Sequence, residues 1–134
     1  MSQKLFGTHR ELGLLLLRLG VGALFVYHGV PKLFGGPAAW HRLGEAMHYL
    51  GVYSIPTVWG FLAAFSECVG GVCLVLGLFF RLICLLLLAT MTVATAMHFG
   101  RGEGLAGAFH AFENAVLFLG LFFIGPGRYS VDRG

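Results

Sequence analysis

Apolar residues run along this chain in four long blocks, with polar positions gathered mostly between them. The blocks cover roughly 12–33, 55–79, 82–99 and 105–124. Each approaches the roughly 20 residues that a helix needs to cross a bilayer core. Backbone groups in lipid must be satisfied within their own segment, so each block predicts a helix rather than a strand. The expectation is one all-α domain over 1–134, an integral membrane four-helix bundle with a short amphipathic interfacial helix between spans one and two.

The connections differ in kind. Spans two and three meet at Phe80-Arg81, which predicts a tight antiparallel hairpin, and spans three and four are joined by a glycine-rich turn from Gly100 to Gly104. The segment 35–54 is longer and opens with the break signal Gly35-Gly36-Pro37. Within it Trp40, Leu43, Met47 and Leu50 recur at helical spacing, with His41, Arg42, Glu45 and His48 between them. Such a helix suits the membrane surface or the flank of its own bundle, and the spacing leaves both open. On span two, Gly60 with Ala64 and Ser66 with Gly70 are small residues four apart, which mark faces for close helix approach.

Composition agrees with the pattern. Only 11% of residues are charged, against about 25% in soluble domains. The lipid bilayer is therefore the expected partner. Nine basic residues against six acidic are scattered without a basic cluster, so nucleic acid is not expected. Lys4, Arg10, Arg81, Arg128 and Arg133 fall on one side of the membrane, and Lys32, Arg42 and Arg101 on the other. Five against three places both termini in the cytoplasm of a multi-pass cell-membrane protein. Cys68, Cys73 and Cys84 lie in apolar runs without CxxC spacing and read as small buried apolar residues. The first block is too long for a secretory signal and carries Arg18 and His28.

The chemistry must come from ionisable residues in or beside the spans: Arg18, His28, Lys32, Glu67, His98, His110 and Glu113. A charge at the centre of a span costs about 2.5–3.5 kcal/mol on insertion scales, so such residues mark functional sites and have partners. From the helical rise, Arg18 lies roughly 9 Å inside span one and Glu67 roughly 18 Å inside span two. That difference is within reach of an arginine and predicts an Arg18–Glu67 ion pair, which could serve a site or only fix helix register. Toward the opposite side, His28, His98, His110 and Glu113 gather on three spans, and His110, Glu113 and Asn114 share a helix face. In a compact bundle the histidines and Glu113 are expected to face one cavity, open to the non-cytoplasmic side and floored by Glu67.

A quinone head group needs a hydrogen-bond donor for each carbonyl and a proton route, which imidazoles and carboxylates provide. His28, His98, His110 and Glu113 are thus candidate quinone ligands, with Glu67, Glu113 and His98 as candidate catalytic groups. Three imidazoles and a carboxylate would also suit a metal. However, the chain has no HxxxH, and its HxxE order reverses the di-iron helix pattern, so metal or haem is not expected. The histidines could alternatively sit at the lipid–water interface and bond only headgroups and water. No phosphate loop or nucleophile triad is present.

Arg18-Leu19-x-x-Gly22-x-x-Phe25-x-x-His28-Gly29-x-x-Lys32-Leu33-Phe34-Gly35 resembles the first-helix signature of the DoxX family. Glu67-x-x-Gly70-Gly71-x-x-Leu74-x-x-Gly77-Leu78-x-x-Arg81 is similar to its second helix and turn. His98 and Glu113 match later polar positions, and 125–132 (Gly125-Pro126-Gly127 through Asp132) resembles its terminal motif. The resemblance implies a four-helix membrane protein linked to redox or thiol-stress systems with soluble partners. Joined to the polar clusters, it leads to the expectation of a membrane subunit of a quinone-linked oxidoreductase that takes electrons from a redox protein. The alternative is a non-catalytic anchor or assembly subunit, and a carrier of four helices would require a homo-oligomer.

Overall fold

The computed structural model describes residues 2–132, with side chains from His9 onward. Arg133, one of the basic residues counted for orientation, lies outside the described residues. Helices α1 (Ser2–Phe34), α2 (Gly36–Gly44), α3 (Pro56–Leu76), α4 (Phe80–Gly100) and α5 (Gly104–Ile124) follow in order, with a 3-10 helix at Glu45–Leu50 between α2 and α3. No strand occurs among the described residues. Four helices are long and apolar enough to cross a membrane, in α1 from His9. The polar lead before span one is thus helical and continuous with it.

Span boundaries agree with the hydropathy blocks to within a few residues, except at the α3–α4 hairpin. The turn lies at Gly77–Phe79, ahead of the expected Phe80-Arg81. Gly77 has a φ of 69°, which ends α3 in the left-handed conformation that glycine tolerates best. The amide of Leu78 then donates to the Cys73 carbonyl at 2.9 Å. Phe80 consequently starts α4 and is wholly buried.

Helix contacts follow the small residues. Gly22 faces Gly71 and Gly29 faces Cys68, each so close that an added β-carbon would collide with the facing backbone. These contacts lay α1 along α3. Gly44 and Gly60 form a second crossing, where a β-carbon on either would strike a carbonyl, of Pro56 and of Trp40 respectively. That crossing and the edge-to-face pair Trp40–Phe61 (4.9 Å) fasten α2 to the flank of α3. Of the two settings open to the amphipathic segment, the structure shows it packed on the bundle. The 3-10 helix continues to α4, where Tyr49 covers Gly100.

Leu74, Phe80, Ile83, Leu87, Phe118 and Leu121 form the main buried cluster. They lie near the end of α3, the start of α4 and the end of α5, so the solid core fills the half of the bundle nearest the tail. The tail binds this end. The amide of Asp132 donates to the Gly77 carbonyl, and its carboxylate accepts from the amides of Phe79 (3.0 Å) and Phe80 (2.7 Å). Those amides open α4 and lack partners within the helix. The motif at 125–132 thereby ties the helix ends together.

Candidate functional site

Arg18 is 2% exposed and belongs to the tail end of the bundle. Its Nε donates to the Leu74 carbonyl (3.1 Å), Nη1 to the Pro126 carbonyl (2.9 Å) and Nη2 to the Val75 carbonyl (2.9 Å). The last turn of a helix exposes carbonyls without helical donors and carries partial negative charge. A planar guanidinium with five N–H donors suits several such acceptors at once. The expected Arg18–Glu67 ion pair is therefore not formed. Glu67 lies seven positions before Leu74, or about 10 Å along α3, and the helix-end carbonyls are nearer. Arg18 serves packing, not a site.

Glu67 takes a different partner. Lys32 Nζ lies 2.9 Å from Glu67 Oε2, with side-chain exposures of 41% for the lysine and 5% for the glutamate. Lys32 is on the last turn of α1, and its flexible stem lets the ammonium reach the buried carboxylate. The pair borders a cavity of about 580 Å³. The cavity occupies the half of the bundle away from the solid core and beneath α2 and the 3-10 helix, whose Leu43, Gly44, Ala46 and Met47 line it. This segment covers the α3–α4 side of that end, while toward α1 and α5 the lining residues His28 and His110 are exposed and the cavity is open.

The cavity collects His28, His98, His110, Lys32, Glu67, Ser66, Thr90 and Asn114 in an otherwise apolar lining. Three of the four residues expected to bind together are present. His28 and His110 stand edge to face with ring centroids 6.5 Å apart. His98 Nδ1 is 2.8 Å from Glu103 Oε2. A carboxylate on Nδ1 fixes the orientation of the ring and leaves Nε2 without a hydrogen bond among the described residues.

Glu113 is the exception. It is exposed and does not line the cavity. On α5 the inward residues are Ala111, Asn114, Phe118 and Leu121, with His110 at their edge. At about 100° per residue, Glu113 falls beyond that edge, on the outer face. It has no hydrogen bond or ion pair among the described residues. Its place is about 14 Å from one end of α5 and about 17 Å from the other. Glu113 therefore lies outside the cavity.

Residues beyond the expected set also contribute. Lys32, read from the sequence as an ionisable residue without an assigned partner, is the partner of Glu67, and its four-residue spacing from His28 signals a shared face. Glu103, in the glycine-rich turn after α4, orients His98 five positions earlier. Trp59 lines the cavity, and its buried indole Nε1 has no hydrogen-bond partner. No sequence signal pointed to Trp59. Among the described residues, no three His, Cys, Asp or Glu side chains group closely enough to hold a metal ion. Cys68, Cys73 and Cys84 are all free.

A family model for DoxX matches residues 13–100. The chain belongs to the DoxX family. The match spans Arg18, His28, Lys32, Glu67 and His98, so in this DoxX protein it covers both the Arg18 lock and the ion pair in the cavity. It stops before α5 and the tail. DoxX membership supports a multi-pass membrane protein, of a family often associated with oxidoreductase and stress functions. Neither the curated proteins nor the solved structures contain a match to this chain.

Proposed function

We propose that this DoxX protein is the membrane subunit of a quinone-linked oxidoreductase, and that the cavity receives the quinone head group. The observation that carries this reading is the buried Glu67 carboxylate, midway along α3, paired with Lys32 beside a largely apolar cavity. Buried ionisable groups of this kind are costly in a span and mark sites. The donor set fits a quinone. Lys32, His28, His110 and Asn114 supply N–H donors for carbonyl oxygens, and Trp59 adds an indole N–H without a partner in the protein. When bound, a quinone supplies two-electron, two-proton redox chemistry, with electrons drawn from a soluble redox protein. Lys32 orients the head group as a charged donor, Glu67 fixes the ammonium, and His98, held at Nδ1 by Glu103, passes protons through Nε2. By the Lys/Arg count, we place the protein in the cell membrane with the start of α1 and the tail cytoplasmic.

Equilibrium binding of a quinone to the protein in lipid nanodiscs tests this reading. Lys32→Met is expected to weaken binding by about ten-fold or more, the loss of one charge-assisted hydrogen bond. Equal affinity in wild type and variant refutes the head-group assignment. A second reading, a non-catalytic anchor or assembly subunit, draws support from Glu113. A carboxylate on the outer face at mid-span suits contact with a membrane partner better than contact with lipid. In that case quinone does not bind, and Glu113→Leu releases the partner.

A further inference from the structure

The cavity is enclosed at its tail end and beneath α2. The tail-end half is filled by the buried cluster around Leu74, Phe80 and Phe118. The α3–α4 side of the opposite end is covered by α2 and the 3-10 helix, held by the Gly44–Gly60 crossing and by Tyr49 on Gly100. Between α1 and α5 no Cα pair comes within 8 Å among the described residues, and Leu24, His28 and His110 line the cavity while exposed, so this seam is open, with a rim that carries two histidines. Phe25 meets Phe118 edge to face at 5.1 Å, and His28 meets His110 above them.

The wall between α3 and α4 differs. Near their turn the helices are close, with Gly70 against Ile83 and Leu87. Farther from the turn, α2 and the 3-10 helix are inserted between them, α2 on α3 and the 3-10 helix on α4. Leu62 on α3 and Leu86 on α4 both line the cavity, yet they are 45% and 41% exposed. Ala89, also lining, is exposed between them and the upper part of α4. Residues that border the cavity and the outer surface together are the lips of an opening. These lips are apolar and lie well inside the ends of their helices, so they face hydrocarbon and not headgroups.

We infer that the cavity opens sideways into the bilayer through a leucine-lipped window between α3 and α4, and that its ligand is an amphiphile with a polar head at Lys32–Glu67 and a hydrocarbon tail passing out through the window. The head rests on the proposed function; the window does not. A head group without a tail would leave the apolar lining between Leu62 and Leu86 uncovered. A tailed ligand covers it and reaches the site from the membrane without crossing the α2 roof. The chemistry is shared by an isoprenoid quinone and by a lipid acyl chain.

The experiment uses the full chain in nanodiscs. Trp40→Phe keeps an aromatic ring against Phe61 and leaves Trp59 as the single tryptophan reporter beside the cavity. Phospholipids brominated on their acyl chains are expected to quench Trp59. Ala89→Phe, which fills the window from the lipid side, removes most of that quenching, whereas Leu85→Phe, an exposed α4 position outside the lining, leaves it. Ala89→Leu is a milder plug should the phenylalanine impair folding. A benzoquinone with a ten-carbon tail is expected to bind at least about ten-fold tighter than its tail-less form, and to lose that advantage in the plugged variant. Quenching without quinone binding of either form defeats the head-group reading and gives the window to a lipid acyl chain. Binding of the tail-less form with no advantage from a tail, together with no quenching, overturns the window and leaves the head-group reading standing.

Discussion

Replacing Arg18 by methionine removes three hydrogen bonds from a guanidinium that is 2% exposed. Bonds to charged groups contribute about 1.5–3 kcal/mol each. Burying the guanidinium costs several kcal/mol, which offsets much of that sum. The larger effect is on the acceptors. Leu74 keeps the amide of Gly77 as a donor at 3.2 Å, while the Val75 and Pro126 carbonyls lose Arg18. Each buried acceptor left without a donor costs about 1–3 kcal/mol, so the variant should lose about 2–6 kcal/mol. Reversible unfolding in mixed micelles measures it. The decisive comparison is a double-mutant cycle with Glu67→Gln. The two sites share no partner in this structure, so their effects should add to within about 0.5 kcal/mol. A coupling well above that limit would show that Arg18 and Glu67 are paired after all, and would refute the assignment of Arg18 to the end of α3. Arg18→Lys should rescue little, because a single ammonium cannot span three carbonyls held by a planar fork.

Two further outcomes follow from the geometry. Glu113→Leu removes an outward carboxylate at mid-span and should favour insertion of α5 by about 2.5–3.5 kcal/mol in a translocon assay, while leaving quinone affinity unchanged; weaker quinone binding would return Glu113 to the site. Gly60→Ala drives a methyl into the Trp40 carbonyl and should shift α2 off α3 and lower the thermal midpoint, whereas Gly13→Ala, with open space around it, should change little. Equal midpoints for these two variants would contradict the α2–α3 crossing.

The four spans were legible because lipid imposes one strong rule on the backbone, and long apolar blocks satisfy it visibly. The hairpin boundary was not, since Phe79 and Phe80 continue the apolar run and only the left-handed Gly77 ends the helix. Depth along each span was also readable, and it brought His28, His98 and His110 to one end of the bundle above Glu67, together with Glu113, which the structure turns outward. Depth alone could not choose partners. Arg18 found helix-end carbonyls that no sequence pattern displays, and Glu67 found a lysine at the far end of α1. Rotation about α5 was the second gap. A three-residue spacing puts His110 and Glu113 on neighbouring positions, but the buried face is centred on Ala111 and Phe118, and one step past its edge is lipid. The amphipathic segment showed its apolar face in sequence, but the choice between membrane and bundle lay in the Gly44–Gly60 crossing.

The central claim is that the Lys32–Glu67 cavity holds a quinone in the working membrane complex. The direct measurement is mass spectrometry of the protein drawn from native membranes in mild detergent, reading both retained quinone and copurifying proteins. Near-stoichiometric quinone and a soluble redox protein in the wild type, with the quinone lost and the protein kept in Lys32→Met, is the predicted result. A wild-type preparation that carries the redox protein but no quinone, or equal quinone in both preparations, would contradict it.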